Sequence, residues 1–198
     1  NRLRSIYETT NFLMPMKIEK TTIPDVLILT PRVFDDERGF FLESYNQNIF
    51  KNVGIRQDFV QDNHSKSSQG VIRGLHFQEK NPQGKLVRCI QGEILDVMID
   101  IRTDSPTFGQ YLAVKLNQEN KKQVWVPPGL AHGFSVLSDT AEILYKVTGF
   151  YNPQDESGIR WNDPELAIDW QVKNPQPSKR DQDLPLFQKG IRSFSQYT

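Results

Sequence analysis

The sequence predicts an all-β fold, a sandwich or barrel built from many short strands. Short apolar runs recur along the chain and turn residues interrupt them, with 12 Gly and 12 Pro among the 198 residues. Long stretches of helical periodicity are absent. No repeat of fixed period and no linker divides the chain, so we expect one domain with a substantial core.

The first predicted elements along the chain are two strands and one short helix. Residues 26–29 are an apolar run between two prolines, and residues 38–44 are an aromatic-rich run after an acidic turn. Residues 46–52 are expected to form a single helix that is ended by Gly54. Residues 65–69 carry only polar side chains, so we predict a loop there.

Two pairs of strands are predicted in the middle of the chain. Residues 85–90 and 94–101 flank a short connection that contains a glycine, which is a strong indication of a β-hairpin. Residues 133–137 and 141–147 flank the turn sequence Ser-Asp-Thr, and we expect these two strands to pair in the same way.

Two more strands complete the prediction before an irregular tail. Residues 111–116 alternate in character, and residues 123–126 form a run that two prolines halt. From Asn152 onward the chain is rich in Pro, Asp and Asn, so we expect mostly loop with short helices. Because a small barrel can hold one ligand in its mouth, inward-facing polar residues on the strands are the candidate site.

Charge and composition disfavour several classes of protein. The 24 basic and 24 acidic residues cancel, so nothing favours a nucleic-acid surface or a basic membrane patch. No apolar run is long enough to span a membrane. The single Cys89 cannot form an internal disulfide, which fits a reducing cytoplasm.

The beginning of the chain differs from the rest. Residues 1–15 lack the charged-then-apolar layout of a signal peptide, and Met16 followed by Lys17 resembles a natural start. We therefore interpret residues 1–15 as an N-terminal extension or expression remnant, and residues 16–198 as a single β-barrel domain.

A stretch at residues 70–78 combines a guanidinium, an imidazole and two glycines. In a regular strand Arg73 and His76 would point to opposite faces, but a bulge at Gly74 would bring them to the same side. A base beside a fixed cation suits proton abstraction from an anionic substrate. The alternative is a structural histidine and a surface arginine at a strand bend.

The chain has three histidines, of which His76 and His132 bear on a metal site. His132 follows a Pro-Gly turn and enters an apolar strand, which resembles the second signature of the cupin barrels. Metal-binding cupins usually carry a His-x-His pair in the first signature, whereas the matching segment here is His76-Phe77-Gln78. We therefore expect no bound metal.

Acid–base chemistry is the class that the remaining residues favour. Cys89 lies in an apolar strand and is expected to be an inert core thiol, and the chain lacks a Gly-x-Ser-x-Gly elbow and a dinucleotide fingerprint. His76 is a candidate general base that needs a carboxylate partner, Tyr145 a candidate acid, and Lys85 a candidate enolate stabiliser. The ordinary alternatives are a rim tyrosine and a solvated lysine at a strand end.

Six segments of the chain together resemble the dTDP-4-dehydrorhamnose 3,5-epimerase family of cupin-like enzymes. The segments lie at residues 34–45, 59–65, 71–78, 83–88, 125–134 and 161–164. The resemblance implies a jelly-roll β-barrel or sandwich with a few short helices, mainly C-terminal. It also implies epimerisation of dTDP-4-dehydro-6-deoxy-α-D-glucose at C3 and C5 to dTDP-4-dehydro-β-L-rhamnose, without metal or cofactor, in the cytoplasmic biosynthesis of dTDP-L-rhamnose for polysaccharides.

The resemblance also implies roles for particular residues. His76 is implied as the base, paired with Asp181 or the neighbouring Asp183, and Tyr145 as the acid at C5, with Lys85 stabilising the enolate. The residues implied to contact the sugar, diphosphate or nucleotide are Arg38, Glu43, Gln61, Asn63, Arg73, His132, Glu156 and Arg180. The thymine is expected to stack on Phe34 or Tyr151.

Family members are homodimers that exchange N-terminal strands, and residues 26–29 are the candidate strand here. Alternatives within the family are an epimerase acting only at C3 and a ketoisomerase on the same 4-keto sugar. Outside the family, the alternatives are a cupin-like sugar-binding module without catalysis and a metal-dependent cupin oxygenase.

Overall fold

Residues 16–187 are described by the computed structural model, and they form two facing β-sheets with a small separate hairpin. The first sheet holds, in spatial order, β1 (Met16–Lys20), β2 (Leu27–Pro31), β10 (Gln123–Val126), β7 (Lys85–Gln91), β12 (Thr140–Val147) and β5 (Gln61–Ser68). The second holds β13 (Glu156–Gly158), β6 (Val71–Gln78), β11 (Leu130–Val136), β8 (Glu93–Asp100) and β9 (Tyr111–Asn117), with β14 (Gln176–Pro177) parallel to β6.

The remaining elements are the hairpin of β3 (Val33–Asp36) and β4 (Gly39–Leu42) and two short helices. These helices are α1 (Gln47–Asn52) and α2 (Lys179–Gln182). The predicted all-β class is confirmed, and the two sheets have the cupin-like jelly-roll arrangement. The interpretation of residues 1–15 falls outside the described residues.

Most of the predicted elements are present with small shifts at their ends. The strands expected at residues 26–29, 38–44, 111–116 and 123–126 correspond to β2, β4, β9 and β10. The predicted helix is α1, and it begins because the Asn46 side chain accepts the backbone N–H groups of Asn48 and Ile49. As far as the structure describes it, to Phe187, the tail after Asn152 is mostly irregular, as expected, with the short elements β13, β14 and α2 in it.

Both predicted strand pairs are wrong, although the strands themselves exist. Strand β7 lies in the first sheet beside β10 and β12, whereas β8 lies in the second sheet beside β11 and β9. In the same way, β11 and β12 lie in opposite sheets. Each short connection therefore carries the chain across the sandwich, and Gly92 makes one of these turns with a φ of +75°. A turn sequence indicates that the chain reverses direction, but it does not determine which strand lies next to which in the sheet.

The loop predicted at residues 65–69 is also wrong, because β5 continues to Ser68. Exposed and less exposed side chains alternate along this strand, which is the pattern of a sheet with one covered face. The less exposed face carries the polar side chains of Gln61, Asn63, Ser65 and Ser67. Because both faces of β5 are polar, its composition is that of a loop.

The main core lies between the two sheets, and two further apolar clusters cover their outer faces. The main core includes Val87, Cys89, Met98, Phe134 and Ile143. Cys89 is buried in this core, as expected, and burial raises the pKa of its thiol to about 11. On the outer face of the second sheet, the C-terminal tail adds Leu166, Trp170 and Phe187 to a second cluster. On the outer face of the first sheet, Phe50 of α1 packs with Leu86 and Trp125.

Between residues 16 and 187, neither helix has the length and apolar character that a bilayer crossing requires.

Candidate active site

A cavity of about 560 Å³ opens between the two sheets. Polar side chains from both sheets and from the C-terminal tail line it together with apolar ones. The polar lining residues are Ser65, Arg73, His76, Lys85, His132, Tyr145, Gln176, Ser178, Arg180 and Asp181. Six residues that the sequence nominated for catalysis or substrate contact are thus brought together with Asp181 in one cavity.

A β-bulge in β6 turns Arg73 and His76 into this cavity. His76 pairs with His132 of β11 and Arg73 with Phe134, so β6 has one residue more than β11 between the two pairs. Of the two arrangements considered from the sequence, the one with a bulge at Gly74 is therefore present. Gly74 has a φ of +117°, and a Cβ atom there would lie 2.6 Å from the Cα of Gly133. Only glycine fits this close approach of two backbones.

His76 is held by a buried carboxylate from the tail. Its Nε2 atom lies 2.6 Å from Oδ1 of Asp181, and the Asp181 side chain is buried. Burial would raise the pKa of Asp181, but the hydrogen bond and charge of His76 outweigh it and lower the pKa below its ordinary value, helped by Ser178 and the Gly74 backbone. An ionised carboxylate only accepts, so Nε2 carries the hydrogen and Nδ1 is the basic atom.

The structure distinguishes the two candidate aspartates by position. Asp181 lies in α2, which starts after Ser178, whose hydroxyl accepts the N–H of Asp181. Asp183 follows the helix and forms an exposed ion pair with Lys179 at 3.4 Å. Asp183 is not within hydrogen-bonding distance of His76 among the contacts of the described residues.

Tyr145 approaches the cavity from the opposite sheet. It lies on β12, where it pairs with Asn63 of β5 and Val87 of β7. Burial raises the pKa of its phenol, while the charge of Arg73 acts in the opposite direction. The phenol is therefore protonated near neutral pH and can act as a proton donor.

Cations line the space between His76 and Tyr145. Lys85 is the first residue of β7, and burial lowers the pKa of its ammonium to about 8, although the charges of Glu156 and Asp96 act to raise it. Arg73 is oriented by a hydrogen bond of 3.1 Å from Nε to the Ser67 hydroxyl. An anion or a developing oxyanion would be stabilised in this region.

A second histidine–carboxylate pair lies deeper in the cavity and was missed by sequence reasoning. His132 Nε2 lies 2.8 Å from Oδ1 of Asp96, which is fully buried on β8. The other oxygen, Oδ2 of Asp96, has no hydrogen-bond partner among the described residues. The carboxylate of Asp96 in the middle of the mostly apolar strand at residues 94–101, whose other acidic residue is Asp100 near its end, was the signal that could have found it.

A polar cluster closes one side of the site. Glu156 accepts hydrogen bonds from Arg180 and, at 2.6 Å, from the Tyr151 hydroxyl. Its other oxygen lies 3.9 Å from Nδ1 of His76. Burial would raise the pKa of Glu156, but its hydrogen bonds and the neighbouring cations lower it. Strand β13 brings Glu156 here, because it pairs with β6 next to His76.

Gln61 and Asn63 join this cluster from the edge strand β5. The Gln61 amide donates to Asn63 at 2.9 Å, and its oxygen accepts the N–H of Tyr151 at 3.2 Å. The two amides are therefore linked to Tyr151 at the rim of the site. Both residues are thereby placed on the same side as Glu156.

Five nominated residues do not line this cavity: Gln61, Asn63 and Glu156, which form the cluster at its rim, and Arg38 and Glu43, which lie in and after the β3–β4 hairpin. Arg38 lies in the turn between β3 and β4 and forms an exposed pair with Asp36 at 2.5 Å, and Glu43 directly follows β4. Within residues 16–187 the hairpin forms strand pairs with no other strand. Its aromatic side chains are exposed, by 51% for Phe34 and 70% for Phe41.

Each of the two cavity histidines lies beside a carboxylate, His76 beside Asp181 and His132 beside Asp96. Across residues 16–187, no group of three or more His, Cys, Asp and Glu side chains is arranged to hold a metal. The arrangement places an imidazole, a phenol and cationic side chains around one cavity.

Comparison with known proteins places the chain among sugar-nucleotide epimerases. A family model described as dTDP-4-dehydrorhamnose 3,5-epimerase matches residues 20–189. The protein of that name from Shigella flexneri is 57% identical over 168 residues, which cover 84% of this chain and 93% of the relative. The Salmonella typhimurium protein of that name is 55% identical over 179 residues, covering 89% and 98%.

Solved structures agree with the sequence comparison. A dTDP-6-deoxy-D-glucose-3,5-epimerase from Legionella pneumophila, in complex with dTDP-4-keto-L-rhamnose, has a TM-score of 0.86 and 45% identity, covering 90% of this chain and 98% of its own. A 3'-monoepimerase from Streptomyces bikiniensis, in complex with dTDP-quinovose, is more distant, with a TM-score of 0.79, 31% identity, and coverage of 85% and 86%. Enzymes that act at one carbon and at two carbons therefore share this architecture.

Proposed function

The chain belongs to the dTDP-4-dehydrorhamnose 3,5-epimerase family, and on that premise we propose that it converts dTDP-4-dehydro-6-deoxy-α-D-glucose into dTDP-4-dehydro-β-L-rhamnose. The reaction inverts C3 and C5 and is a step of dTDP-L-rhamnose biosynthesis. The observation that carries the proposal is the placement of His76, with its carboxylate partner, and Tyr145 on opposite sheets around one cavity.

Proton abstraction is the first step of the proposed reaction. The ketone at C4 acidifies the hydrogens at C3 and C5, because the charge left on carbon spreads onto the ketone oxygen. Nδ1 of His76 takes the proton, since Nε2 already donates its hydrogen to Asp181. The buried Asp181 carboxylate then stabilises the imidazolium that forms.

The enolate oxygen needs compensating charge. Lys85 and Arg73 line the cavity beside His76, and the His132 imidazole adds a further polar group. The Arg73 guanidinium is oriented before the reaction by its hydrogen bond to Ser67, and the position of the His132 ring is fixed by Asp96. Such preorganised donors stabilise a developing oxyanion without rearrangement of solvent.

Return of the proton from the other face inverts the carbon. Tyr145 lies on β12 in the first sheet, opposite His76 on β6 in the second. Its phenol is protonated near neutral pH, so it can donate to the carbanion carbon. We assign it as the acid at C5. The His76 imidazolium and the Tyr145 phenolate then regain their starting protonation states by proton exchange with solvent, and a second cycle of abstraction and donation inverts C3.

The rim of the cavity is proposed to bind the nucleotide and the sugar hydroxyls. Glu156, Arg180, Gln61 and Asn63 form one connected cluster there, with the Tyr151 ring exposed beside it. We choose Tyr151 over Phe34 as the stacking partner of thymine, because Phe34 lies on the separate hairpin. Arginine side chains suit the diphosphate, since each can bind two of its oxygens.

We infer that the active form is a homodimer in which the β3–β4 hairpin reaches the cavity of the partner. Among residues 16–187 the hairpin has no neighbouring strand, and it exposes Phe34, Phe40 and Phe41. It also carries Arg38 and precedes Glu43, two nominated residues that belong neither to the cavity lining nor to the cluster at its rim. We prefer the hairpin to residues 26–29 as the exchanged segment, because β2 already pairs with β10 of the same chain.

A cytoplasmic location is the remaining part of the proposal. It is supported by the single, buried and unpaired thiol of Cys89, which suits a reducing compartment. Fractionation of the producing cells, with activity measured in each fraction, tests it.

Incubation with the 4-keto nucleotide sugar in deuterated water tests the catalytic proposal. A 3,5-epimerase incorporates deuterium at both C3 and C5, which mass spectrometry and NMR can locate. One label, at C3, would identify the single-carbon epimerase that the Streptomyces bikiniensis structure represents. Binding of the sugar without any exchange would identify a non-catalytic module.

A further inference from the structure

We propose that Asp163 is a positioning residue for Asp181: it anchors the C-terminal segment, defined here as residues 176–187, and thereby holds the Asp181 carboxylate against His76. The inference rests on the proposed function of His76. No bond joins Asp163 to either residue directly, so its action is through the backbone of the segment.

The segment is fastened at its beginning by the second sheet. Strand β14 pairs in parallel with the start of β6, at Val71 and Ile72, and the N–H of Gln176 donates to the Gly70 carbonyl at 2.8 Å. Asp181 follows within the four-residue helix α2. A single helical turn is not stable by itself, because nucleation costs more than its few hydrogen bonds return.

The other end of the segment is fastened by the turn at residues 160–163. The backbone N–H of Arg160 donates to the Pro185 carbonyl at 2.8 Å, and its Nε to the Leu184 carbonyl at 2.9 Å. The N–H of Phe187 donates to Oδ2 of Asp163 at 2.7 Å, the shortest of the three. Leu184 also packs closely over Gly158, where a Cβ atom would lie 2.7 Å from one of its methyl groups.

Asp163 serves two sites at once. Its Oδ1 accepts the N–H groups of Glu165 and Leu166, at 2.9 and 3.1 Å, and this holds the turn, while Oδ2 holds Phe187. The carboxylate is buried, and Phe187 is buried in the outer core of the second sheet. An amide has only one acceptor oxygen, so Asp163→Asn cannot satisfy both the turn and the N–H of Phe187.

The consequence for catalysis is geometric. Leu184, which Arg160 holds, follows Asp181 by three positions, a span of at most about 10 Å, and Phe187, which Asp163 holds, follows it by six, a span of at most about 20 Å. Release of the far anchor therefore loosens α2 and the 2.6 Å contact between Asp181 and His76. A displacement of about 1 Å in a catalytic contact can cost on the order of a hundredfold in rate.

A double-mutant cycle tests the inference by kinetics. Asp163→Asn is expected to lower kcat about tenfold to a hundredfold, and to change kcat by less than about twofold when Asp181→Asn is already present. Equal factors in the two backgrounds, or an unchanged kcat in the single variant, would overturn the proposal. Ser138→Ala is the control: it removes an acceptor of the Glu93 N–H in the β11–β12 connection and should lower stability without altering kcat.

A second readout does not depend on turnover. The chain has only three histidines, so the ring nitrogens of His76 can be assigned by NMR with His76→Ala as reference. Asp163→Asn should shift the tautomer signals of His76 toward those of Asp181→Asn, and Ser138→Ala should not. If the His76 signals of Asp163→Asn are unshifted, the inference is rejected, even if the wild-type chain is active. If those signals shift but the wild-type chain is inactive, only the proposed function is rejected. If Asp163→Asn does not fold, Arg160→Met is used in its place. It removes the hydrogen bond from the Arg160 side chain to the Leu184 carbonyl, and the same changes in kcat and in the His76 signals are expected.

Discussion

Nε2 of His76 lies 2.6 Å from Oδ1 of Asp181, although 105 residues separate the two along the chain. The contact joins a strand of the second sheet to a short helix of the tail, and it determines which imidazole nitrogen is free to take a proton. The following predictions depend on this contact and on the cavity around it.

Replacement of His76 by Ala should lower kcat by about two to four powers of ten, because the general base is removed. Steady-state assays of epimerisation measure the effect. His64→Ala is the matched control, since that imidazole is exposed and pairs with Glu142 on the outside of the first sheet. Near wild-type turnover by His76→Ala would require a different base.

Tyr145→Phe should reduce turnover about a hundredfold or more and impair protonation at C5 in particular. Its hydroxyl makes no hydrogen bond to the described residues, so removal of one oxygen should leave the melting temperature nearly unchanged. Deuterium at C3 but little at C5 is the expected labelling pattern. Full labelling at both carbons at the wild-type rate would exclude Tyr145 as the acid.

The lowered pKa of Lys85 leads us to expect that kcat/KM falls on the alkaline side of its pH profile. Since burial lowers the pKa of its ammonium to about 8, the charge that stabilises the enolate is lost as pH rises above that value. The wild-type kcat/KM should therefore decline above about pH 8. Lys85→Arg keeps its charge throughout this range, and its profile should lack the decline even if the rate is lower. An identical decline in both proteins would assign it to another group.

The lowered pKa of Asp181 leads us to expect a particular pH dependence of the stability of the fold against urea. Its pKa is lower in the folded chain than the ordinary value of 3.8, so its ionised form stabilises the fold above that value. This contribution is lost as pH falls through the lowered pKa. Wild type should thus unfold at higher urea than Asp181→Asn near neutral pH, and the difference should shrink below pH 3.8. A difference that is constant with pH would contradict the assignment.

The proposed exchange of hairpins predicts complementation between inactive variants. Arg38→Ala and His76→Ala, unfolded and refolded together, form a mixed dimer in which one cavity has His76 from one chain and Arg38 from its partner. Up to about a quarter of the wild-type activity is then expected, because half of the dimers are mixed and each has one intact site. Activity no greater than the sum of the separate variants would place Arg38 and His76 in the same chain's site.

Local pattern was enough to predict much of the fold. Apolar runs and turn residues identified β2, β7, β8, β10 and β12, because a strand that buries one face shows this within a few residues. Local pattern was not enough to predict which strands pair, and β7 and β8 in fact lie in opposite sheets. Pairing depends on how strands that are distant in the sequence bury their apolar faces together. The polar strand β5 was mistaken for a loop at residues 65–69, because it lies beside a cavity.

The sequence by itself determined the chemistry available to this protein: an imidazole, a phenol and a set of cations, on strands that alternate between inside and outside. The tertiary structure alone decided their relations. It put Asp181 and not Asp183 beside His76, gave His132 the buried Asp96, and left Arg38 outside the cavity of its own chain. The physical reason is range: side-chain type and strand alternation are local, whereas each of these contacts closes a long loop whose cost is met only by the packing of the whole sandwich.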